Sequence, residues 1–272
     1  METKYLKFWG TRGSCPVSGV DYLHFGGNTP SLEIRYGEQI AILDAGTGIR
    51  PLGLALPKID KIDLFLSHFH WDHINGFPFF EPIYRKEVNM TIWAPHSEGR
   101  STQDLFEDLL AFEFFPIHLS QIQAKLNFEL FKAKQPVQLG NLTIDFHETI
   151  HPGHSYCFKI KTPKMTIGYV TDNEIDFEKQ KSFIEFYKGV DLFIHEAQYT
   201  SEEYKSKKGW GHSSLNKMCE LIEKIGPSKC LVTHHDPKHS DSDLREMEEI
   251  ARSRPLPCPI EWVHDGYSLP IL

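Results

Sequence analysis

The sequence of 272 residues predicts an α/β fold in which two mixed sheets are flanked by helices. Three observations carry that reading. Short strand-like apolar runs fill the first third of the chain, three more crowd into 142–171, and from 177 onward helical and strand patterns alternate.

Lys4–Trp9 reads as the first strand. In Ser31–Tyr36 the apolar Leu32 and Ile34 alternate with polar neighbours, and Gln39–Asp44 follows as another such run. Glycine clusters at Gly26-Gly27-Asn28 and Gly46-Thr47-Gly48 punctuate these strands, the second leading into a short helix at Ile49–Leu56. Within Asp44-Ala45-Gly46-Thr47-Gly48 the carboxylate either closes a tight turn by accepting from backbone N–H groups or serves as a ligand, and the turn is the simpler reading. Ile62–Ser67 is a short buried strand that runs directly into His68, and Asn89–Ala94 is a further strand. Gln103–Phe114 sets Leu105, Phe106, Leu109, Leu110 and Phe114 at helical spacing. The rings around its end (Phe112, Phe114 and Phe115, before Pro116) read as core or as a hydrophobic lid over a pocket.

Leu142–Glu148, Tyr156–Lys161 and Met165–Thr171 are strands divided by His-Pro-Gly and Thr-Pro-Lys turns. A helix near Phe177–Tyr187, a strand at Asp191–His195, a helix near Leu215–Ile225, a strand at Lys229–Thr233 and a helix at Asp241–Arg252 complete the chain. No linker-like shift, low-complexity stretch or internal repeat interrupts 1–272, so a single domain is expected.

Hydrophobic residues at 40% and charged residues at 24% exclude a disordered, collagenous or coiled-coil chain. With 29 Lys+Arg against 37 Asp+Glu the formal charge is −8, and no basic run stands out, which argues against a surface for long nucleic acid. METKYLKFWGTRG lacks a signal pattern, and no apolar run nears the roughly 20 residues that span a bilayer, so a cytoplasmic protein without membrane association is expected. Cys15, Cys157, Cys219, Cys230 and Cys258 are scattered without a C-x-x-C pair, as in a chain with reduced thiols.

The strongest local signal is His68-Phe69-His70-Trp71-Asp72-His73, three imidazoles and a carboxylate within six residues. Where a strand runs out into a loop, His68 and His70 project the same way, and Asp72 and His73, from the turn that follows, can address a second position. Neutral imidazole and carboxylate suit zinc and, with more oxygen, manganese or iron. Further donors fall at other strand ends: His151 after Leu142–Ile150, Asp172 after Met165–Thr171, and His234 after Leu231–Thr233. Spacing alone leaves His147, His154 and His235 as competitors.

On these residues the chain resembles the metallo-β-lactamase superfamily over nearly its whole length, in the phosphodiesterase branch that includes the tRNA 3′-processing endonuclease. The resemblance implies an αββα four-layer sandwich with a two-metal site at one edge of its sheets. By motif order, His68, His70 and His151 would hold one metal, Asp72, His73 and His234 the other, and Asp172 would bridge them. His151-Pro-Gly-His-Ser-Tyr-Cys157-Phe158 and Thr233-His234-x-x-Pro237 are similar to the family's later motifs. Ile194-His195-Glu196-Ala197, with Gln198 in place of the usual Thr, and Gly211-His212-Ser213 resemble the branch's own motifs. There the equivalent of His212 contacts the phosphate or protonates the leaving oxygen, and that of Glu196 orients it. Imidazole suits such proton transfer near neutral pH, and a carboxylate partner raises its pKa.

The tRNA-processing enzymes carry a long basic insertion between the third ligand and the bridging aspartate, whereas here 172 − 151 leaves 21 positions. The compact pattern, with Trp9-Gly-Thr-Arg-Gly13 and Leu43-Asp-Ala-Gly46, is similar to cyclic-nucleotide phosphodiesterase-like proteins. The expected activity is therefore hydrolysis of a small phosphodiester, such as a cyclic nucleotide, by a hydroxide shared between two divalent ions, zinc first, with manganese or iron as alternatives. Asp72 would also accept a proton from that nucleophile. Three rivals stand beside it. One is a nuclease for single-stranded ends, with Phe114, Phe115 and Trp210 stacking bases and Lys207-Lys208 holding phosphate. The others are an ester, thioester or lactam hydrolase and a non-catalytic metal or nucleotide sensor. The resemblance also admits a homodimer.

Overall fold

A computed structural model describes residues 4–132 and 135–271. The first sheet begins with β1 (Lys4–Gly10), β2 (Ser31–Tyr36), β3 (Gln39–Leu43), β4 (Lys61–Phe65), β5 (Asn89–Ala94) and β6 (Lys125–Leu130), hydrogen-bonded in that order. β1 to β3 are antiparallel; β3 to β6 are parallel. The second sheet contains β7 (Val137–Leu139), β8 (Leu142–Glu148), β9 (Tyr156–Lys161), β10 (Thr166–Tyr169), β11 (Leu192–Glu196), β12 (Lys229–Thr233) and β13 (Ile260–Trp262). Its first four strands are antiparallel and β10 to β13 parallel. β14 (Ser268–Pro270) returns to pair with β1, so each sheet has seven strands.

Period-2 alternation divides the apolar side chains among three cores. In β3, Ala41 and Leu43 face the second sheet while Ile40 and Ile42 face helices. In β11, Leu192 and Ile194 face the first sheet while Phe193 faces the opposite way. The outer layer of the first sheet is α1 (Ile49–Ala55), the single turn α2 (Trp71–Ile74) and α3 (Thr102–Leu109), with Leu52, Phe106 and Leu109 buried against Ile42, Leu64 and Ile92. The outer layer of the second is built from α4 (Lys181–Tyr187), the exposed α5 (Ser201–Lys207), α6 (Leu215–Ile225) and α7 (Asp241–Arg252), with Met218, Leu221 and Leu244 packed on Phe193 and Val232. The layers are helix, sheet, sheet, helix, matching the expected αββα sandwich.

Several boundaries differ from the sequence expectation. The helix expected to reach Phe114 stops at Leu109, and the chain turns through 110–115 instead. Phe112 and Phe114 are therefore 70% and 73% exposed rather than core, while Phe115 packs edge-on against Phe79 with ring centroids 5.5 Å apart. Strands β6, β7, β13 and β14 and helix α5 were not legible in the sequence. Among the described residues no helix is long and apolar enough to cross a membrane.

The parallel strands β3 and β4, and β10 to β12, send their C-terminal ends to a common edge, and β8 runs the same way as β10. That edge is where α/β sheets gather functional loops. Ile160, fully buried between the sheets and far along β9 from this edge, tests whether the core and the edge are independent. Ile160→Ala should lower unfolding stability by about 3 kcal/mol in chemical denaturation, with the metal content of the folded protein unchanged.

Candidate active site

Each strand-end donor is delivered by a local break from extended backbone. β4 ends at Phe65, and Ser67 to His73 form a loop and the turn α2, carrying all four donors of the His-rich motif. Asp44, Asp172 and His234 leave their strands with φ of 64°, 54° and 56°, a left-handed conformation in which non-glycine residues are uncommon and Asp and His are enriched. His151 lies three residues past β8, on the loop that Thr149 ties to the Asp172 carbonyl at 2.8 Å.

The Asp172 carboxylate is the centre of the site. Its Oδ1 lies 3.9 Å from His68 Nε2 and 3.7 Å from His151 Nε2, and its Oδ2 lies 3.1 Å from His73 Nε2 and 3.3 Å from His234 Nε2. Asp72 Oδ2 is 3.3 Å from His73 Nε2 and 3.4 Å from His234 Nε2. On the other side, His151 Nε2 is 3.1 Å from His70 Nδ1. His68, His70 and His151 thus form one donor group, and Asp72, His73 and His234 a second.

The donor chemistry fits divalent ions. His68 Nε2, His73 Nε2, His234 Nε2 and Asp172 Oδ2 are buried without a hydrogen-bond partner, a costly arrangement unless a cation satisfies them. The distances of 3.1–3.4 Å from His73 and His234 to the Asp72 and Asp172 carboxylates match the edges of a tetrahedron whose centre lies about 2.0 Å from each donor, a distance that suits a small divalent ion.

Apart from Glu196, the orienting contacts escaped the sequence reading. Asp44 accepts from Ser67 N and Ser67 Oγ at 2.8 and 2.9 Å through Oδ1, and its Oδ2 lies 3.0 Å from His73 Nδ1, so that the negative charge faces the outer nitrogen of the ring and Nε2 is left to the donor cluster. The expected tight-turn role of Asp44 gives way to a longer-range one: its carboxylate holds Ser67, on the loop after β4, and faces His73 on the same loop. His151 Nδ1–H donates to the Gly211 carbonyl at 3.0 Å, turning its Nε2 inward in the same way. Gly211 has φ 88°, and a Cβ there would collide with the His151 ring; a Cβ at Gly13 would lie 2.6 Å from the His234 ring. Ser14 N–H donates to Asp72 Oδ2 at 2.7 Å. Glu174 accepts from Gly209 N, Gly211 N and Tyr204 Oη, fixing the loop that carries His212.

Glu196, at the end of β11, is fully buried and links this loop to the donors. Oε1 accepts from Asn173 N at 2.8 Å and Ser213 N at 3.3 Å, while Oε2 faces His212 Nδ1 at 3.0 Å and His234 Nδ1 at 3.4 Å. Burial pushes the Glu196 carboxyl up, but the two imidazoles outweigh it and bring it down to about 2. Burial in turn depresses His212, and the charge and hydrogen bond of Glu196 carry it above the usual histidine range. His212 Nδ1 also lies 3.8 Å from Asp172 Oδ1.

The competing histidines lie elsewhere. His147 is engaged by the Glu148 carbonyl and Ser182 Oγ, and exposed His154 pairs with Glu148 at 2.9 Å. His235 is buried with Nε2–H donating to the Val263 carbonyl at 2.8 Å; burial, then the Arg12 charge, hold it down to about 3, so it stays neutral. Arg12 itself, fully buried, donates to the carbonyls of Gly26, Asp236 and His239 and ties the Trp9–Gly13 segment to the His234 loop. Lys207, which the nuclease alternative sets beside a phosphate, is held 3.1 Å from Asp236 and lies over the Tyr199 ring, whereas Trp210 is 61% exposed.

Fold and donor set together define a metal-dependent hydrolase. The chain belongs to the β-lactamase superfamily, whose domain model matches residues 41–235. It is 23% identical over 269 residues to a ribonuclease Z of Pyrococcus horikoshii, covering 80% of this chain and 84% of the relative. It is 25% identical over 204 residues to the probable metallo-hydrolase YhfI of Bacillus subtilis, covering 73% and 76%. The crystal structure of YhfI superposes with a TM-score of 0.75 at 20% identity over 98% of this chain and all of that one. A diphosphatase of the PhnP family superposes with a TM-score of 0.72 at 19% identity, covering 97% and 96%.

Gly13→Ala and Gly211→Ala should each lower metal content, by displacing His234 and His151 respectively. Elemental analysis of the folded variants checks this, and full wild-type metal content in both would contradict the packing argument.

Proposed function

We propose that this chain is a binuclear metal-dependent phosphodiesterase that hydrolyses a small phosphodiester. The observation that carries the reading is His212, its ring held by Glu196 at 3.0 Å and its Nδ1 placed 3.8 Å from the Asp172 carboxylate that joins the two donor groups. The names of the relatives agree with a phosphorus-centred reaction: ribonuclease Z, a diphosphatase and, among similar structures, yeast PDE1.

His68, His70 and His151 would hold one divalent ion, Asp72, His73 and His234 the other, with Asp172 between them; zinc suits the nitrogen-rich donors best. Bound there, the ions supply Lewis acidity, neutralising phosphate oxygens and lowering the pKa of water. The chain's own residues do the rest. Despite burial, His73 and then His234 pull the Asp72 carboxyl well below the usual range, so Asp72 accepts a proton only from an already acidified water. As the water oxygen forms its bond to phosphorus in line, the opposite phosphorus–oxygen bond breaks. An alkoxide is a poor leaving group, and His212 gives it a proton to release it as the alcohol. With its Nδ1 proton directed to Glu196, His212 keeps Nε2 as the nitrogen for that transfer, and Glu196 stabilises the charged ring. Short spacing between His151 and Asp172 and a net charge of −8 favour a small substrate over structured RNA.

His212→Ala should lower kcat for bis-p-nitrophenyl phosphate by about 100-fold or more while the purified protein keeps its metal. Preserved turnover in the fully metallated variant would reject the role of His212. Metal-dependent cleavage of p-nitrophenyl acetate in preference to the phosphodiester would reject the reaction class.

A further inference from the structure

A cavity of about 400 Å³ is lined in part by Phe69 and Gly153, chain neighbours of the first donor group. One side comes from the segments that carry those donors, and the other from residues 95–98 on the loop after β5. Phe69 sits between His68 and His70, and Gly153 lies two residues beyond His151. Gly153 has φ 86°, and a Cβ built there would lie 3.2 Å from His70 Nε2, so the missing side chain brings the floor of the cavity up to the imidazole edge. Of the seven donor residues His70 is the exposed one, while the His151 side chain beside it is only 2% exposed. A substrate whose phosphate lies at the Asp172 carboxylate therefore has its way out past His70, over this cavity.

The lining has a definite chemistry. Phe69, Tyr156 and Pro95 present flat apolar surface, and the His96 and His154 imidazoles with the Glu98 carboxylate supply donors and acceptors at the edge. No lysine or arginine lines it, and Glu98 opposes a second phosphate. An aliphatic group would leave the polar edge unpaired, whereas a neutral, planar ring with its own hydrogen-bonding edge satisfies both parts.

We infer that this cavity receives the nucleobase of the substrate, so that the enzyme selects a base-bearing phosphodiester by stacking next to His70. The inference rests on the phosphodiesterase reading and adds to it the class of substrate and the place of its base. Trp210, on the loop before His212, is then free of that task.

The test uses the metal-loaded full chain and two substrates that release the same nitrophenolate: methyl p-nitrophenyl phosphate, without a base, and thymidine 5′-p-nitrophenyl phosphate. The wild type should prefer the thymidine ester in kcat/KM by about tenfold, the scale of one base stacked on an aromatic wall. Ser97→Trp, which fills the cavity from its rim, and His96→Ala, which removes an edge partner from an exposed loop, should each bring that ratio towards one. Thermal melting identifies any variant that has failed to fold, and the two substitutions reach the cavity independently. A wild type that does not discriminate, or variants that keep the wild-type ratio, would overturn the cavity's role and leave the phosphodiesterase reading standing. Failure of the metal-loaded enzyme to cleave either ester would overturn the phosphodiesterase reading, and the base site with it.

Discussion

The fold's most demanding constraint is the burial of the Asp172 carboxylate among imidazoles from four segments. Asp44, Asp72 and Glu196 are buried beside it, so four carboxylates are withdrawn from water at one sheet edge. Desolvating a carboxylate costs several kcal/mol, and Coulomb attraction offsets this only where the opposing groups are held in register. Here the register is fixed from outside the donor set. Asp44 and Ser67 fix His73, the Gly211 carbonyl fixes His151, Ser14 fixes Asp72, and Glu196 fixes His212 and His234 together. Removing one orienting group therefore leaves charge buried without its partner, which is dearer than the loss of a single hydrogen bond.

The sandwich supplies this register because its parallel strands deliver their ends to a common edge. Leu64 and Leu231 need only be buried for β4 and β12 to run to that edge; the chemistry begins one to three residues later. Left-handed backbone at Asp44, Asp172 and His234 turns each chain there, so local strain is placed where surrounding hydrogen bonds over-determine the conformation. Gly13 and Gly211 complete the arrangement by letting backbone approach an imidazole more closely than any side chain would allow. The GTRG segment, through Arg12, and the Gly-His-Ser loop, through Glu174, are in this sense clamps on the donor histidines.

Much of this was legible in the sequence because it is written in periodicity. β2, β5, β8 and β9 match the expected strands, and α6 and α7 the expected helices. Most of the elements missed lack a periodic signal, β6 with its alternating Leu126, Phe128 and Leu130 being the exception. β7, β13 and β14 are three residues each, too short to show alternation, and α5, SEEYKSK, buries no residue and so has no apolar stripe. The helical spacing through Phe114 was misleading because Phe115, one residue on, is drawn to Phe79 once the helix ends at Leu109. For the site, dense histidines and strand-end donors pointed to one place, and the structure brings all seven together. The orienting contacts did not show, since a carbonyl such as that of Gly211 and a Cβ-free approach such as that of Gly13 have no side-chain signature.

The central claim is the proposed one, that Asp172 would serve both donor groups when divalent ions are bound. Elemental analysis of the reconstituted, desalted wild type and of Asp172→Ala tests it most directly. The account predicts two divalent ions per wild-type chain and loss of tightly bound metal in the variant, with the fold intact by circular dichroism. Two tightly retained ions in folded Asp172→Ala would contradict it, and so would a wild type that binds fewer than two.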